Sequence, residues 1–247
     1  MKRLIIMALV LFISSCATYP SPEVENNAEL YYNRGVSWQK KGNFDQAVSD
    51  YNKAIEINPR YAMAYNNRGL AYADKGQYGQ AISDFTKAIE INPRYADSHA
   101  NRGTTFQTNG QYGKAISDFT KAIEINPRLV EAYNNRGNTF QRKGQYNKAI
   151  ADYNKAIEIN PRYAMAFNNR GLAYADKGQY DKAISDYNKA IEINPGFDGA
   201  YNNRGVAYYY KGEYDKAWED VYKAQSLGYQ VHPGFLKALR EASGRPK

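Results

Sequence analysis

Asparagine amides recur along this 247-residue chain every 34 residues, and repetition makes them the side chains best placed for shared chemistry. Pairs in the tetrapeptide Asn-Asn-Arg-Gly begin at Asn66, Asn134, Asn168 and Asn202, and single versions occur at Asn33 and Asn101. An amide offers an acceptor and two donors, which matches a peptide unit with one of each. Because asparagine is a mediocre helix former, ten of them in a helical pattern indicate a binding role.

Other reactive side chains are scarce. One cysteine and two histidines leave little material for disulfides, zinc sites or Cys/His catalysis. The chain has no Gly-x-Ser-x-Gly, Gly-x-Gly-x-x-Gly, Walker or His-Glu-x-x-His motif. His99 stands where five equivalent positions hold Tyr or Phe, which favours a packed side chain over a base, and His232 is expected to start a terminal helix. The sequence predicts a non-enzymatic protein without metal or cofactor.

The amino terminus carries a targeting signal. Lys2 and Arg3 precede ten apolar residues, 4–13, which are too few to cross about 30 Å of hydrocarbon and indicate a signal peptide over 1–15. The run Ile-Ser-Ser-Cys ending at Cys16 resembles a bacterial lipobox. That resemblance implies cleavage before Cys16, covalent diacylglycerol and an N-acyl chain there, and, with Ala17 following, retention in the outer membrane facing the periplasm. A secretory signal with a chance cysteine, or a buried structural cysteine, is the alternative.

Charge and composition limit the partners. With 43% hydrophobic residues and 24 tyrosines the chain can form a packed core. The formal charge of +8 alone would admit nucleic acid, but it falls to +6 when Lys2 and Arg3 leave with the signal peptide. In the envelope we expect no nucleic acid partner. Residues 16–27, with the acylated cysteine and two prolines, are predicted to form a flexible tether.

A 34-residue period organises the rest of the chain. Each unit reads as two helices, the first ending at a glycine and the second at Asn-Pro. The last unit departs from the pattern at Val221 and Tyr229, and residues 232–247 are predicted to form a capping helix and tail. Repeats one to six are assigned to residues 28–61, 62–95, 96–129, 130–163, 164–197 and 198–231.

The spacing of bulky, small and aromatic residues resembles the tetratricopeptide repeat (TPR). The resemblance implies an all-α, right-handed superhelical solenoid of six TPR helix pairs whose first helices line a concave groove. In repeat two the matching residues are Tyr65, Gly69, Tyr72, Ala81, Phe85, Ala88 and Pro93.

A helical wheel places the asparagines on the predicted groove. An amide ladder there resembles those of peptide-binding TPR superhelices; the alternative is a solvated face where asparagine is tolerated. Chaperone-binding TPR proteins use lysines beside such asparagines to bind the C-terminal carboxylate of a peptide, and these lysines are missing here. Acidic residues outnumber basic ones on the predicted groove. The candidate peptide-binding residues are Asn33, Asn67, Asn101, Asn135, Asn169, Asn203, Asn66, Asn134, Asn138, Asn168 and Asn202.

An arginine follows the last asparagine of each of these motifs, and an aspartate recurs sixteen residues after that arginine. Antiparallel helices would bring the two together, so we predict structural ion pairs within the repeats, such as Arg68 with Asp84 and Arg136 with Asp152.

Together these features predict a lipid-anchored scaffold or adaptor that binds extended segments of other envelope proteins. It would resemble periplasm-facing TPR lipoproteins. The alternative is an assembly factor similar to the pilotin lipoproteins that escort an outer-membrane secretin. A homodimer is a further possibility, since TPR faces often dimerise.

Overall fold

The computed structural model describes the backbone of residues 22–245 and the side chains of residues 27–245, and this part of the chain contains helices and no strands. The predicted all-α repeat architecture is confirmed. The thirteen helices are α1 Pro22–Lys40, α2 Phe44–Ile57, α3 Ala62–Asp74, α4 Tyr78–Ile91, α5 Ala96–Thr108, α6 Tyr112–Ile125, α7 Val130–Arg142, α8 Tyr146–Ile159, α9 Ala164–Asp176, α10 Tyr180–Ile193, α11 Asp198–Tyr210, α12 Tyr214–Ser226 and α13 Pro233–Ser243.

The helices of the repeats end at residues that disfavour further helical backbone. The first helix of every repeat is followed by a glycine at positive φ, between 70° and 77°, which an L side chain rarely adopts. The second helices of repeats one to five end at the asparagine before proline, as at Asn58, whose backbone is extended. The Asn58 side chain accepts a hydrogen bond from the Arg60 backbone N–H at 3.0 Å and so holds the turn.

The core of each of repeats one to five is one aromatic ring packed on a glycine. Tyr187 is 1% exposed, and a Cβ at Gly171 would lie 2.6 Å from its ring. Gly69 has the same relation to Phe85 at 2.8 Å. This close approach explains why the first helix carries glycine in mid-helix, at a cost of about 1 kcal/mol in helix propensity.

The repeats stack into a curved array. First helices of neighbouring repeats contact one another throughout, from α1 with α3 to α9 with α11. Each also packs on the second helix of its own repeat and, from α3 onward, on that of the preceding repeat. The first helices therefore form the inner, concave layer, as predicted.

Both ends differ from the interior. Helix α1 begins at Pro22, so residues 22–27 of the predicted flexible tether are helical, a correction explained by proline at the first helical position followed by acidic residues. Helix α13 caps repeat six: Leu239 is fully buried, and Trp218 Nε1 donates to Ser243 Oγ at 3.0 Å. The signal peptide, Cys16 and residues 17–21 lie outside the described residues. Between residues 22 and 245, no helix has the length and apolar character needed to cross a membrane.

Candidate functional site

The concave layer carries a depression lined by side chains from three consecutive first helices. Two of its residues, Asn138 and Asn169, belong to the predicted asparagine set, while Arg142 adds the one positive charge. The other lining residues are Gln107, Gln141 and Leu172. The helical wheel therefore oriented these first helices correctly.

Asparagine side chains on this layer bind one another across repeats four to six. Asn203 Nδ2 donates to Asn168 Oδ1 at 2.9 Å, and Asn168 Nδ2 donates to Asn169 Oδ1 at 3.2 Å. Asn169 Nδ2 then donates to Asn134 Oδ1 at 3.0 Å, and Asn134 Nδ2 to Asn135 Oδ1 at 3.3 Å. These hydrogen bonds form a continuous chain of amides in which each donor is followed by the next, from repeat six to repeat four.

A second amide chain joins repeats one to three. Asn66 Oδ1 accepts from Asn101 Nδ2 and from Ser98 Oγ, each at 3.0 Å. Asn66 Nδ2 donates to Asn67 Oδ1 at 3.1 Å, and Asn67 Nδ2 donates to the Tyr32 hydroxyl at 2.9 Å.

The two chains are separated at repeat three, where Ala100 replaces the first asparagine. The Asn135 side chain therefore has no amide partner in repeat three, and its Nδ2 donates a long hydrogen bond to Thr104 Oγ1, at 3.5 Å. Gln107 supplies a compensating link by donating to Thr139 Oγ1 at 2.7 Å. The repeats on either side of the gap thus stay connected.

Burial divides the asparagines into two kinds. The first asparagine of each pair is buried in three repeats, with exposed fractions of 3% for Asn66, 3% for Asn134 and 6% for Asn168. The prediction that these three contact a ligand is wrong, because the neighbouring repeat covers them. Helical periodicity gives the direction of a side chain but not the distance of the next repeat. Asn202 is partly exposed, since the asparagine array ends there.

The second asparagines keep unused hydrogen-bonding capacity. Asn67, Asn101, Asn135 and Asn203 are partly exposed. Each donates one N–H to a neighbouring repeat, which leaves at least one N–H and one acceptor lone pair for a ligand. Among the remaining predicted residues, Asn33 is exposed, Asn169 is 8% exposed, and Asn138 accepts from the Tyr153 hydroxyl at 2.7 Å.

An arginine–aspartate pair holds each repeat together beneath this face. Arg136 binds Asp152 through two parallel hydrogen bonds of 2.8 Å, and Arg68 binds Asp84 through two of 2.7 Å. The hydrogen bond to Asp152 raises the pKa of Arg136, even though burial opposes it. Equivalent bidentate pairs, at 2.5–2.8 Å, occur in the other four repeats.

The same arginine also ties neighbouring repeats, a role the sequence analysis missed. Arg68 Nη1 donates to Asn52 Oδ1 at 2.6 Å, and Arg102 Nη1 to Thr86 Oγ1 at 2.9 Å, both on the second helix of the preceding repeat. The signal was present, because the residue after the core aromatic is Asn or Thr in each of repeats one to five.

His99 is packed, 6% exposed, with Nδ1 3.7 Å from Asp118 Oδ1. Burial alone would raise the pKa of Asp118, but the two hydrogen bonds from Arg102 outweigh it and lower that pKa. The arrangement serves the repeat core.

The concave face is acidic. Asp74, Asp97, Glu131 and Asp176 are all exposed. Burial, with Asp97 nearby, raises the pKa of Tyr95 to about 12. Negative charge therefore lies beside the partly used amides.

Comparison with solved structures places this geometry among known solenoids. MamA is 28% identical, with 69% of this chain and 93% of that chain covered and a TM-score of 0.60. YrrB, described as a TPR protein with an unusual peptide-binding site, is 26% identical over 78% of this chain and 97% of that one, with a TM-score of 0.60. PilF of Pseudomonas aeruginosa is 19% identical over 91% and 100%, with a TM-score of 0.73, and shows the fold alone. No curated protein matches the chain.

Three family models match the chain. A tetratricopeptide repeat model matches residues 28–61, 62–95, 130–163 and 164–197, more than half of the chain. A TPR repeat model matches 108–144, and another tetratricopeptide repeat model matches 85–117 and 186–219. The chain belongs to the tetratricopeptide repeat family.

Proposed function

We propose that this protein is a non-enzymatic scaffold that binds extended peptide segments of other proteins along its concave face. The observation that carries the proposal is the pair of amide chains, in which buried asparagines orient the partly exposed ones at Asn67, Asn101, Asn135 and Asn203. Because these side chains are already held by the repeats, little side-chain entropy is lost when a peptide binds.

The chemistry of the face suits a backbone ligand. Each partly exposed amide has a donor and an acceptor to spare, and a peptide unit needs one of each. Exposed Met63 and Met165, at 46% and 45%, offer adaptable apolar contacts beside the amides. YrrB, which is similar to this chain over 97% of its own length, is described as having a peptide-binding site, and this supports peptide binding by the present chain.

We further propose that Cys16 is acylated and anchors the scaffold to the bacterial outer membrane, facing the periplasm. The support is the sequence of residues 1–16, with its basic start, short apolar run and terminal cysteine. Metabolic labelling with radioactive palmitate should label the wild type and not Cys16→Ser, and the variant should leave the membrane fraction. Unchanged labelling or fractionation of the variant would contradict the anchor.

Site-specific photo-crosslinking in cells tests the groove. A photoreactive residue at Arg142 or Met165 lies on the concave layer, whereas one at the exposed Ser185 lies on a second helix and serves as the control. We expect protein adducts from the two concave positions and not from Ser185. Adducts of equal yield at Ser185, or none at any position, would overturn the proposal.

The captured proteins also determine the role. Several different envelope proteins would identify an adaptor. A single client that forms an outer-membrane oligomer, and fails to assemble without this protein, would identify a pilotin-like assembly factor.

A further inference from the structure

Repeat five contains an incomplete hydrogen-bonding arrangement around its core tyrosine. In repeat four the Tyr153 hydroxyl, the equivalent group, contacts Gln141 Oε1 at 2.9 Å and Asn138 Oδ1 at 2.7 Å. In repeat one the Tyr51 hydroxyl donates to Gln39 Oε1 at 2.8 Å. The tyrosine of these repeats is thus paired with an amide from its own first helix.

Repeat five keeps the tyrosine but loses the amides. The positions of Gln141 and Asn138 are occupied by Ala175 and Leu172. The Tyr187 hydroxyl consequently has no hydrogen-bond partner among residues 27–245, although Tyr187 is 1% exposed. Burial, with Asp176 and Asp186 nearby, raises the pKa of Tyr187, so this hydroxyl stays neutral at physiological pH. The hydroxyl is not a buried unsatisfied group, because it faces the cavity described next, where a ligand can reach it.

The replaced amides leave a cavity of about 250 Å³ that opens on the concave face, and Tyr187 lines it. Its apolar surface comes from Leu172 and Val206, and one wall is the Tyr210 ring, 62% exposed and stacked on Tyr180 at 5.2 Å. Asp176 lines the same cavity, and its Oδ2 accepts from Gln141 Nε2 at 2.7 Å. It makes no ion pair with any residue that the structure describes, so its negative charge is not neutralised by a neighbour.

We propose that this cavity, here named the Tyr187 pocket, binds a lysine or arginine side chain of the peptide held in the groove. The inference rests on the proposed function. The stem of such a side chain would lie on Leu172 and Val206, and its charged head would face Asp176 and the Tyr210 ring. The Tyr187 hydroxyl oxygen would accept one of its N–H groups. An acidic side chain would be repelled by Asp176, and an aliphatic one would leave the hydroxyl unpaired.

Repeat two provides a matched control inside the same chain. Its first helix has the same Leu, Ala and Asp, at Leu70, Ala73 and Asp74. Phe85 replaces Tyr187, and Thr108 replaces Tyr210. Repeat two therefore has the carboxylate without the hydroxyl or the aromatic wall.

A host–guest titration tests the Tyr187 pocket. The probes are the peptides acetyl-Gly-Ser-Thr-Xaa-Thr-Ser-Gly-amide, with lysine, arginine or norleucine at Xaa, added to the purified protein with isotopically labelled Leu and Val methyl groups. We expect lysine and arginine peptides to shift the Leu172 and Val206 resonances and to bind about five- to tenfold more tightly than the norleucine peptide. Asp176→Asn should abolish that preference, and the matched Asp74→Asn should leave it intact.

The outcomes separate this inference from the proposed function. Equal affinity for lysine and norleucine peptides, with the concave methyl groups still shifting, would overturn the Tyr187 pocket and keep the peptide groove. A preference that survives Asp176→Asn, or that Asp74→Asn removes, would also overturn it. No shift at any concave methyl group with any peptide would overturn both proposals.

Discussion

Repeats two and five have nearly the same first helix and different surroundings. Helices α3 and α9 have 13 residues each and differ only at Tyr65 and Phe167. Yet Asn67 donates to the hydroxyl of Tyr32, whereas its equivalent Asn169 donates to Asn134 and is only 8% exposed.

The difference comes from the neighbours. Repeat one supplies a tyrosine, Tyr32, where repeat four supplies an asparagine, Asn134. On the other side, repeat three presents threonines to the carboxyl end of α3, and repeat six presents Val206 and Tyr210 to the end of α9. In a solenoid, the chemistry of a surface is therefore decided by the stack of repeats rather than by one repeat alone.

The largest expected effect should not distinguish the two repeats. Asp84→Ala and Asp186→Ala each leave an arginine, Arg68 or Arg170, about 18–20% exposed without its bidentate partner. Each should lower the free energy of unfolding by about 3 kcal/mol, as measured by urea denaturation, because a mostly buried charge is left uncompensated. The exposed Asp74→Ala is the control and should change little. Unequal losses at Asp84 and Asp186 would show that the framework itself differs between the repeats.

The second effect should separate them. Asn66→Ala leaves three groups without their amide partner, those of Ser98, Asn101 and Asn67, whereas Asn168→Ala leaves two. We expect losses of about 2–3 and 1–2 kcal/mol in the free energy of unfolding, respectively, since Ser98 is fully buried.

The matched control for this pair is Asn202→Ala. Asn202 is partly exposed, and its variant should change the unfolding free energy least of the three. A loss at Asn202 as large as that at Asn66 would contradict the inter-repeat role of the buried amides.

These roles show where sequence reasoning reaches its limit. Spacing within one repeat predicted the ends of the helices and the arginine–aspartate pairs, because these depend on the geometry of a single repeat. It did not predict that Asn66 would be buried or that Arg68 would reach Asn52, because both depend on how one repeat stacks on the next. The helical start at Pro22 was missed because polar residues with two prolines also fit a tether.

The loss of the amide partners in repeat five is visible in the sequence once the structure is known. The sequence shows Tyr with Gln at repeats one and four, and Tyr with Ala only at repeat five. What it could not show is that Val206 and Tyr210 leave an open cavity there instead of filling the space with side chains.

A smaller effect concerns the core hydroxyls at neutral pH. Tyr153→Phe removes hydrogen bonds to Gln141 and Asn138 and should cost about 1 kcal/mol of unfolding free energy. Tyr187→Phe removes an unpaired hydroxyl and should be neutral or slightly stabilising in the same urea measurement. A loss for Tyr187→Phe equal to that for Tyr153→Phe would mean that the hydroxyl has a partner, and the Tyr187 pocket would lose its main support.

The smallest effect appears only in alkali. The pKa of Tyr187 is raised in the folded protein, mainly by burial, above the value near 10 of an unfolded tyrosine. The stabilisation that comes from keeping Tyr187 protonated in the folded protein is therefore complete below about pH 10. It is lost as pH rises towards the folded pKa. Comparing urea unfolding at pH 8 and pH 11, the wild type should lose about 1 kcal/mol more than Tyr187→Phe.

The converse substitution brings repeat two into the same comparison. Phe85→Tyr places a hydroxyl beside Ala73, without the amide that repeats one and four provide. If the missing amide and the burial of the ring decide the behaviour, this variant should acquire the alkaline loss that Tyr187→Phe removes. Its absence would mean that the wall formed by Val206 and Tyr210, rather than the tyrosine and its own first helix, sets the environment of the hydroxyl. Side chains of repeat six would then determine the environment of the Tyr187 hydroxyl as much as those of repeat five do.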